Sequence, residues 1–455
     1  MKINRSLGVS TKIQTILNNS NLGLLNSVYP KKLGGTYESP NNARDRIYTV
    51  SGTLQTMLIT ATMQDKTLKN SVNLHYISHQ KSRELEMAVL NKDIQEEKQK
   101  ACLEPRKAGR PRLFKAELPK SKVNDHSLNT AAYSKARKRI PQALTDELFD
   151  SSIIKNAKNN YSHWFGYKVY IGDGTYVQMQ DSIELRKKYA VNYKGEESKG
   201  YPQGLLEVIT ERGTGQIFSY RLSNRHTGEL ELFYNMMNDL PSQSILLLDD
   251  LYNTYETFAK LKGVGVKIVV PGKRKRNYSV VEKIEPGDEI VIIKKPKTRP
   301  KWLPKDVIDL PDQIKLRRIE CISPEGKEYI LYTSVLDKNI KKEHIINLYF
   351  TRWDVEVSIR EVKTIMDINI LRSKSEDMIR KELAVSLSAY NLIRKIIYKS
   401  IKDMPFFPKE SLIQEFYSLN KNILIDKKGR VYNQWSTGRK RNKKNNIKRT
   451  ITQTS

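Results

Sequence analysis

Residues 342–372, KEHIINLYFTRWDVEVSIREVKTIMDINILR, carry the pattern that decides the fold, because they predict one long helix from Lys342 to Arg372 with two separate polar faces. At about 100° per residue, five polar side chains fall within a stripe roughly 80° wide, namely Tyr349, Arg352, Glu356, Arg360 and Lys363. Apolar residues flank this stripe, and an ordinary solvated face lies opposite. A surface helix needs only one polar face. The second face therefore predicts a helix that carries the Glu356 carboxylate and several cations into a cleft; a charged helix stabilised by i,i+4 ion pairs is the alternative.

The composition indicates a polyanionic partner. The 455 residues carry 80 Lys+Arg against 50 Asp+Glu, a net charge of +30. Such an excess is costly in self-repulsion, and nucleic acid is the usual partner that offsets it; a merely basic protein is the alternative. No run of about 18 apolar residues occurs, so we expect no membrane span. Cys102 and Cys321, the two cysteines, support neither a disulfide framework nor a zinc site, and a reducing cytoplasm fits.

Strand patterns begin at Tyr167, where the apolar run YKVYIG leads directly into Asp173-Gly174-Thr175. A lone Asp-Gly is most often a hairpin turn, but here the aspartate follows a strand. Further strands are predicted at 204–210, 216–222 and 244–248, and helices at 228–239 and from residue 253 onward. Three strands, a helix, a strand and a helix form the order of an α/β ribonuclease-H-like domain. In such folds, carboxylates gather from the first strand, the end of the fourth strand and a later helix.

The spacing Tyr349-x2-Arg352-x3-Glu356-x6-Lys363 resembles the Tyr-Arg-Glu-Lys signature of a large group of bacterial insertion-sequence transposases, the IS-four group. In that family the glutamate is the last member of an Asp-Asp-Glu metal-binding triad. The resemblance spans roughly residues 129–371, over half of the chain. It implies a ribonuclease-H-like catalytic domain that is interrupted by a β-strand insertion.

The two aspartates that the resemblance requires lie upstream. Asp173, followed by Gly and Thr, is similar to the family's first catalytic carboxylate. Asp249 is similar to the second, because it abuts a short apolar strand and keeps the family's distance to Tyr252 and Tyr255. Asp250 is the competing candidate, at a position where the family more commonly has Arg or a small residue.

The resemblance implies a catalytic and metal-binding triad of Asp173, Asp249 and Glu356, with Mg²⁺ (or Mn²⁺) as the cofactor. Such a site supports in-line attack of water or a 3′-hydroxyl on a phosphodiester, with two metal ions about 4 Å apart. The implied function is a transposase that cleaves double-stranded DNA at transposon ends and joins them to a target, as a homodimer in the DNA complex. A nuclease without strand transfer and a non-catalytic, domesticated DNA-binding protein are the alternatives.

The remaining chain is divided by composition and by the same resemblance. We predict a helical N-terminal region that binds DNA ends at 1–103, a basic linker at 104–128, the two parts of the ribonuclease-H-like domain at 129–264 and 342–402, a β-strand insertion at 265–341 and a basic C-terminal region at 403–455. The linker segment Gly109–Arg112 is like an AT-hook, whose arginines reach A·T minor grooves; a plain basic linker is the alternative. The predicted DNA-binding residues are Tyr349, Arg352, Lys363, Arg110, Arg112, Lys273, Arg274, Lys275 and Arg276.

Overall fold

A computed structural model describes most of the chain between residues 47 and 401 and two short strands beyond it. The described ranges are 47–63, 66–73, 75–76, 88, 92, 95–96, 129–155, 163–190, 192–193, 196–197, 200–272, 276–307, 309–323, 326–352, 366–401, 423–425 and 431–433. The chain divides into two compact units, with one boundary between Pro141 and Gln142. The domain boundaries predicted from the sequence remain predictions.

The described helices include α1 (Val50–Thr62), α2 (Thr130–Arg139), α3 (Gln142–Ser152), α4 (Ile183–Tyr189), α5 (Glu229–Met236), α6 (Tyr255–Gly263), α7 (Lys342–Phe350) and α8 (Glu376–Ile401). The described strands are β1 (His163–Trp164), β2 (Tyr167–Met179), β3 (Asn192–Tyr193), β4 (Glu196–Glu197), β5 (Gln203–Glu211), β6 (Ile217–Asn224), β7 (Ser244–Leu247), β8 (Lys267–Pro271), β9 (Ser279–Glu285), β10 (Asp288–Lys294), β11 (Gln313–Ile322), β12 (Glu328–Thr333), β13 (Ile370–Leu371), β14 (Ile423–Ile425) and β15 (Val431–Asn433). The architecture is mixed α/β. No helix within the described ranges is both long and apolar enough to cross a membrane.

The N-terminal unit contains α1 and α2. Thr49 is the N-cap of α1, and its Oγ1 accepts a hydrogen bond of 3.0 Å from the amide of Gly52. His75 is buried beside this helix: its Nδ1 lies 3.0 Å from Oγ1 of Thr56 and its Nε2 lies 2.8 Å from the carbonyl oxygen of Ile47. Both ring nitrogens therefore have protein partners, which is the pattern of a structural histidine.

A single 11-stranded sheet organises the larger unit. Its strand order is β6-β5-β2-β7-β8-β12-β11-β10-β9, and β1 and β13 also pair with β2. β2, β7 and β8 are parallel to one another, whereas the strands on both sides of this group pair antiparallel. β2 thus lies inside the sheet, with β5 on one side and β7 on the other.

Successive side chains of the long central strand β2 point to opposite faces of the sheet, and the two faces have different surroundings. Tyr170 and Gly172 face α5, where a Cβ at Gly172 would overlap the ring of Phe233, so glycine is needed for this close approach. Because successive strand residues point to opposite faces, Ile171 and Asp173 face the other side of the sheet. The strand pattern that the sequence predicted from Tyr167 is confirmed.

The strands of the predicted insertion extend the central sheet instead of forming a separate one. β8, which falls inside the predicted 265–341 segment, pairs parallel with β7 and is thus part of the central parallel group. β12, β11, β10 and β9 follow as an antiparallel series. The strand Ser279–Glu285 was not among the predicted ones, and it is exposed along most of its length.

The helix that was predicted to run without a break from Lys342 to Arg372 is wrong at its C-terminal end. α7 begins at Lys342 and ends at Phe350, where the amides of Thr351 and Arg352 bond to carbonyls three residues back, at 3.1 and 2.9 Å. Residues 353–365 lie outside the described ranges. β13 then pairs parallel with the end of β2, so its backbone hydrogen bonds override the helical periodicity of the sequence.

Candidate active site

Asp173 lies within β2 on the face of the sheet opposite α5. Its carboxylate Oδ1 accepts a hydrogen bond of 2.9 Å from the amide of Gly174, and the residue is partly exposed. β2 pairs with β5 through Asp173↔Val208 and with β7 through Ile171↔Leu247. Pairing with both neighbouring strands therefore fixes the position of Asp173 along the strand direction.

Asp249 follows the adjoining strand β7, two residues after its end at Leu247. Extending the register Ile171↔Leu247 by two residues on each chain predicts that the two aspartates lie side by side, at the spacing of about 4.8 Å between neighbouring strands. Leu248 belongs to the apolar cluster on the α5 side, so the alternation turns Asp249 to the same side as Asp173. Both aspartates are partly exposed.

Asp250, the competing candidate, occupies a different position. It begins the short 3₁₀ turn Asp250–Tyr252, and its amide donates to the carboxylate of Asp249, which acts as the N-cap of that turn. Asp249 thus lies between β7 and the turn, whereas Asp250 is the first residue of the turn. This placement favours Asp249 over Asp250 as the partner of Asp173.

Tyr349 lies at the C-terminal end of α7, and Arg352 follows two residues after the helix. Both are largely buried, with 3% and 8% of their surface exposed. Burial raises the pKa of the Tyr349 hydroxyl, the Asp249 carboxylate adds to this, and the hydrogen bond and charge of Arg352 oppose it. Tyr349 therefore interacts with Arg352 and lies within the electrostatic influence of Asp249. Contact of Tyr349 or Arg352 with DNA remains a prediction.

The other predicted site residues are only partly within the described structure. Arg276 donates a hydrogen bond to the carbonyl of Asn253 and lies over the rings of Phe258 and Tyr332, so its guanidinium is held against the protein. Glu356, Lys363, Arg110, Arg112, Lys273, Arg274 and Lys275 lie outside the described ranges. Among the described residues no group of three or more His, Cys, Asp or Glu is arranged to hold a metal ion. Two of the three proposed metal ligands are described.

A buried acidic cluster that was not predicted from the sequence lies behind β2, on the α5 side of the sheet, and consists of Glu207, Glu229 and the hydroxyl of Tyr252. Glu207 on β5 is fully buried and pairs with Gly174. The hydroxyl of Tyr252 lies 3.1 Å from Oε2 of Glu207 and 3.0 Å from Oε1 of Glu229. The signal in the sequence is a lone acid inside the apolar run GLLEVIT, since buried carboxyl groups are rare unless they are paired.

Burial raises the pKa of the Glu207 carboxyl from 4.5 to about 9, and the nearby carboxylates of Glu229 and Asp173 add to the rise, against the Tyr252 hydrogen bond. Because the folded-state pKa lies above the unfolded value, the neutral form is favoured in the native protein. The stabilising contribution is then complete below about pH 4.5 and is lost progressively as the pH rises towards 9.

We expect Glu207→Gln to flatten the pH dependence of stability between pH 5 and 9. The amide does not titrate, so the loss of up to about 1.4 kcal/mol per pH unit that one such group contributes should disappear. Urea unfolding at pH 5, 7 and 9 measures this for the wild type and the variant. Glu211→Gln on the same strand is the control, because it leaves Glu207 in place; equal slopes for wild type and Glu207→Gln would contradict the assignment.

The chain matches a recognised protein family over about half of its length. A family described as "Transposase DDE domain" matches residues 164–392, a range that contains Asp173, Asp249 and Glu356. The transposase InsG for insertion sequence element IS4 of Escherichia coli (strain K12) is 22% identical over 307 residues, which are 66% of this chain and 68% of that protein. The putative transposase InsZ of the same strain is 24% identical over 141 residues, 30% of this chain and 47% of InsZ.

Among solved structures, the cryo-EM structure of the piggyBac transposase synaptic complex with hairpin DNA aligns with a TM-score of 0.35 and 8% sequence identity. The alignment covers 63% of this chain and 57% of the piggyBac chain. The chain thus spans less than two thirds of both InsZ and the piggyBac transposase.

Proposed function

Because the chain belongs to the DDE transposase domain family, we propose that it binds the ends of an insertion sequence, cleaves DNA phosphodiester bonds there and transfers the 3′-hydroxyl ends to target DNA. Asp173, Asp249 and Glu356 are the proposed catalytic carboxylates. The observation that carries the proposal is the parallel pair Ile171↔Leu247, which is followed two residues later by Asp173 on one chain segment and by Asp249 on the other.

We propose that the catalytic domain is ribonuclease-H-like. The described order, with the long strand β2, the antiparallel strands β5 and β6, helix α5, the parallel strand β7 and helix α6, supports this assignment. The described structure has strands where the sequence predicted them at 204–210 and 216–222. In this arrangement the first carboxylate comes from the first strand and the second from the end of the fourth.

The two described carboxylates fit a divalent ion. Mg²⁺ and Mn²⁺ prefer oxygen ligands and are held by few protein carboxylates together with phosphate oxygens. Asp173 and Asp249 are partly exposed acids, the first within β2 and the second two residues after the adjoining strand β7. With Glu356, they are the residues that would hold the metal ions. When bound, such ions stabilise charge on the attacking and leaving oxygens of the phosphodiester.

The chain's own residues have further roles in this proposal. Tyr349 and Arg352 would contact the DNA backbone near Asp249, and the influence of the Asp249 charge on the Tyr349 hydroxyl supports their position close to the site. Lys363 lies on the same predicted helical stripe and would bind a phosphate next to the scissile one. The net charge of +30 supplies the non-specific attraction for double-stranded DNA. A homodimer in the DNA complex and a cytoplasmic location complete the proposal.

A strand-transfer assay tests the proposed function against its two alternatives. Purified protein is incubated with Mg²⁺, a supercoiled target plasmid and labelled DNA from the borders of its own genomic element. Joined product supports a transposase. Cut product without joining would indicate a nuclease, and retarded DNA without cleavage would indicate a DNA-binding protein; either outcome would overturn the proposal.

A further inference from the structure

The buried cluster behind β2 joins three elements that position the proposed catalytic aspartates. Glu207 comes from β5, Glu229 from the first turn of α5, and Tyr252 from the 3₁₀ turn that directly follows Asp249. The amide of Tyr252 donates to the carbonyl oxygen of Asp249 at 3.1 Å. Whatever fixes the Tyr252 side chain therefore also fixes the backbone that carries Asp249.

Hydrogen-bond counting determines the protonation of this cluster. The hydroxyl of Tyr252 has one hydrogen, yet it lies within 3.1 Å of a carboxyl oxygen of Glu207 and within 3.0 Å of one of Glu229. Both contacts are hydrogen bonds only if one of the two carboxyl groups supplies a second hydrogen. Glu207, which has no exposed surface, is the group for which a charge costs most.

Glu207 has a second carboxyl oxygen that also lies inside this cluster. Its Oε1 is buried and has no hydrogen-bond partner within the described part of the chain. A Cβ at Gly174 would overlap both this oxygen and Oε1 of Glu229, so the two carboxyl groups meet where the glycine leaves room. Gly174 is the residue after Asp173, and the cluster thus reaches the strand of the first aspartate as well as the turn of the second.

We propose that Glu207 is a positioning residue for Asp249: as a neutral acid it holds the Tyr252 hydroxyl together with Glu229, and Tyr252 in turn holds the 3₁₀ turn that follows Asp249. This inference rests on the proposed function, because it takes Asp249 to be catalytic. The opposing interpretation is that Glu207 acts as a charged carboxylate, for instance as an additional metal ligand. The two differ in whether a neutral amide can replace the acid.

Two substitutions at the same position separate these interpretations. Glu207→Gln keeps a neutral side chain whose amide can donate to the Tyr252 hydroxyl, so that Tyr252 can still donate to Glu229, whereas Glu207→Leu removes the bond to Tyr252. The first readout is hydrogen exchange at the amides of Tyr252 and Asn253, which bond to the carbonyls of Asp249 and Asp250. This readout is independent of catalysis. The second readout is cleavage of transposon-end DNA.

We expect Glu207→Gln to keep the exchange and cleavage rates within about threefold of wild type. Glu207→Leu should speed exchange at both amides and slow cleavage, each by roughly tenfold, the effect of one lost buried hydrogen bond. Glu207→Gln as impaired as Glu207→Leu would overturn the neutral role, and wild-type exchange in Glu207→Leu would overturn the positioning role. If the wild-type protein cleaves no DNA, the proposed function fails while the exchange comparison still decides the inference.

Two further variants serve as a substitute for Glu207→Leu and as a control. Tyr252→Phe keeps the ring within the apolar cluster and removes only the hydroxyl, so it serves if Glu207→Leu does not fold; it should also speed exchange at Asn253 by roughly tenfold. Unchanged exchange in Tyr252→Phe would contradict the proposal. Glu211→Gln is the matched control, because Glu211 lies on the same strand but accepts hydrogen bonds from the turn at Gly213 and Thr214. Its exchange at Tyr252 should equal that of wild type.

Discussion

We expect Asp249→Asn to cleave DNA ends about 10³-fold more slowly than the wild-type protein, and Asp173→Asn to have an effect of the same size. An amide keeps the shape of the side chain but lacks the negative charge that a divalent ion requires. Loss of that ion removes several kcal/mol of transition-state stabilisation, and about 4 kcal/mol corresponds to 10³-fold. Cleavage rates and DNA affinity measured on the same preparations test this. Affinity and melting temperature should change little.

Asp250→Asn is the matched control for these variants. Asp250 is the next residue in the chain but begins the turn after β7, so its substitution should leave cleavage within about tenfold of wild type, against the roughly 10³-fold loss expected for a metal ligand. Glu356→Gln, on the segment outside the described ranges, should behave like Asp249→Asn. An Asp249→Asn protein that cleaves normally would contradict the assignment, and a strong loss in Asp250→Asn would move the role to that residue.

The second large effect is expected at the buried ion pair of Arg317 and Asp288. Arg317 Nε lies 2.8 Å from Asp288 Oδ1 and its Nη2 lies 2.5 Å from Oδ2, with about 1% of either residue exposed. Breaking a buried pair by removing one partner costs about 3 to 5 kcal/mol, because the remaining charge is left without a partner. We expect Arg317→Met to lower the melting temperature by at least about 6 °C, measured by calorimetry.

The structural reason for this effect extends to the proposed active site. Nη1 of Arg317 also donates to the carbonyl oxygens of Asp337 and Ile340, at 3.0 and 2.8 Å, just before α7 begins. Arg317 therefore connects β10 and β11 to the helix that carries Tyr349. Arg317→Met should lower the cleavage rate as well as the stability, because the start of α7 loses this anchor.

An exposed ion pair and a double variant provide the controls. Lys338 and Glu282 pair on the surface, with 54% and 44% of their side chains exposed, so Glu282→Gln should change stability by less than about 1 kcal/mol. Replacing Arg317 by Met and Asp288 by Leu together removes both buried charges and should recover part of the lost stability. Recovery should be incomplete, since two carbonyl groups still lack their donor. A single Arg317→Met variant as stable as Glu282→Gln would contradict this account.

The central strands could be predicted from the sequence because each contains a short run rich in aliphatic or aromatic residues. The run before Asp173 and the short run before Asp249 form β2 and β7. The motif order then indicated which carboxylates belong together. Their level position depends on the register Ile171↔Leu247, which no local pattern contains.

Features set by pairing between distant segments could not be predicted. The periodicity of residues 342–372 continues smoothly past Phe350, yet the backbone of Ile370 and Leu371 pairs with β2 as a strand. The contact of Glu207 with Glu229 and Tyr252 likewise depends on which residue of β5 lies beside Gly174. In both cases the sequence shows which local conformation the side chains favour. The structure depends on which distant segment pairs with the backbone.

The location of bound metal tests the account most directly. Crystals of the protein with transposon-end DNA and Mn²⁺, measured at a wavelength where manganese scatters anomalously, would give a map of the ion positions. We predict anomalous density in contact with the carboxylates of both Asp173 and Asp249. Density at Asp250 without Asp249, density between Glu207 and Glu229, or the absence of density beside Asp173 would contradict the proposed catalytic site.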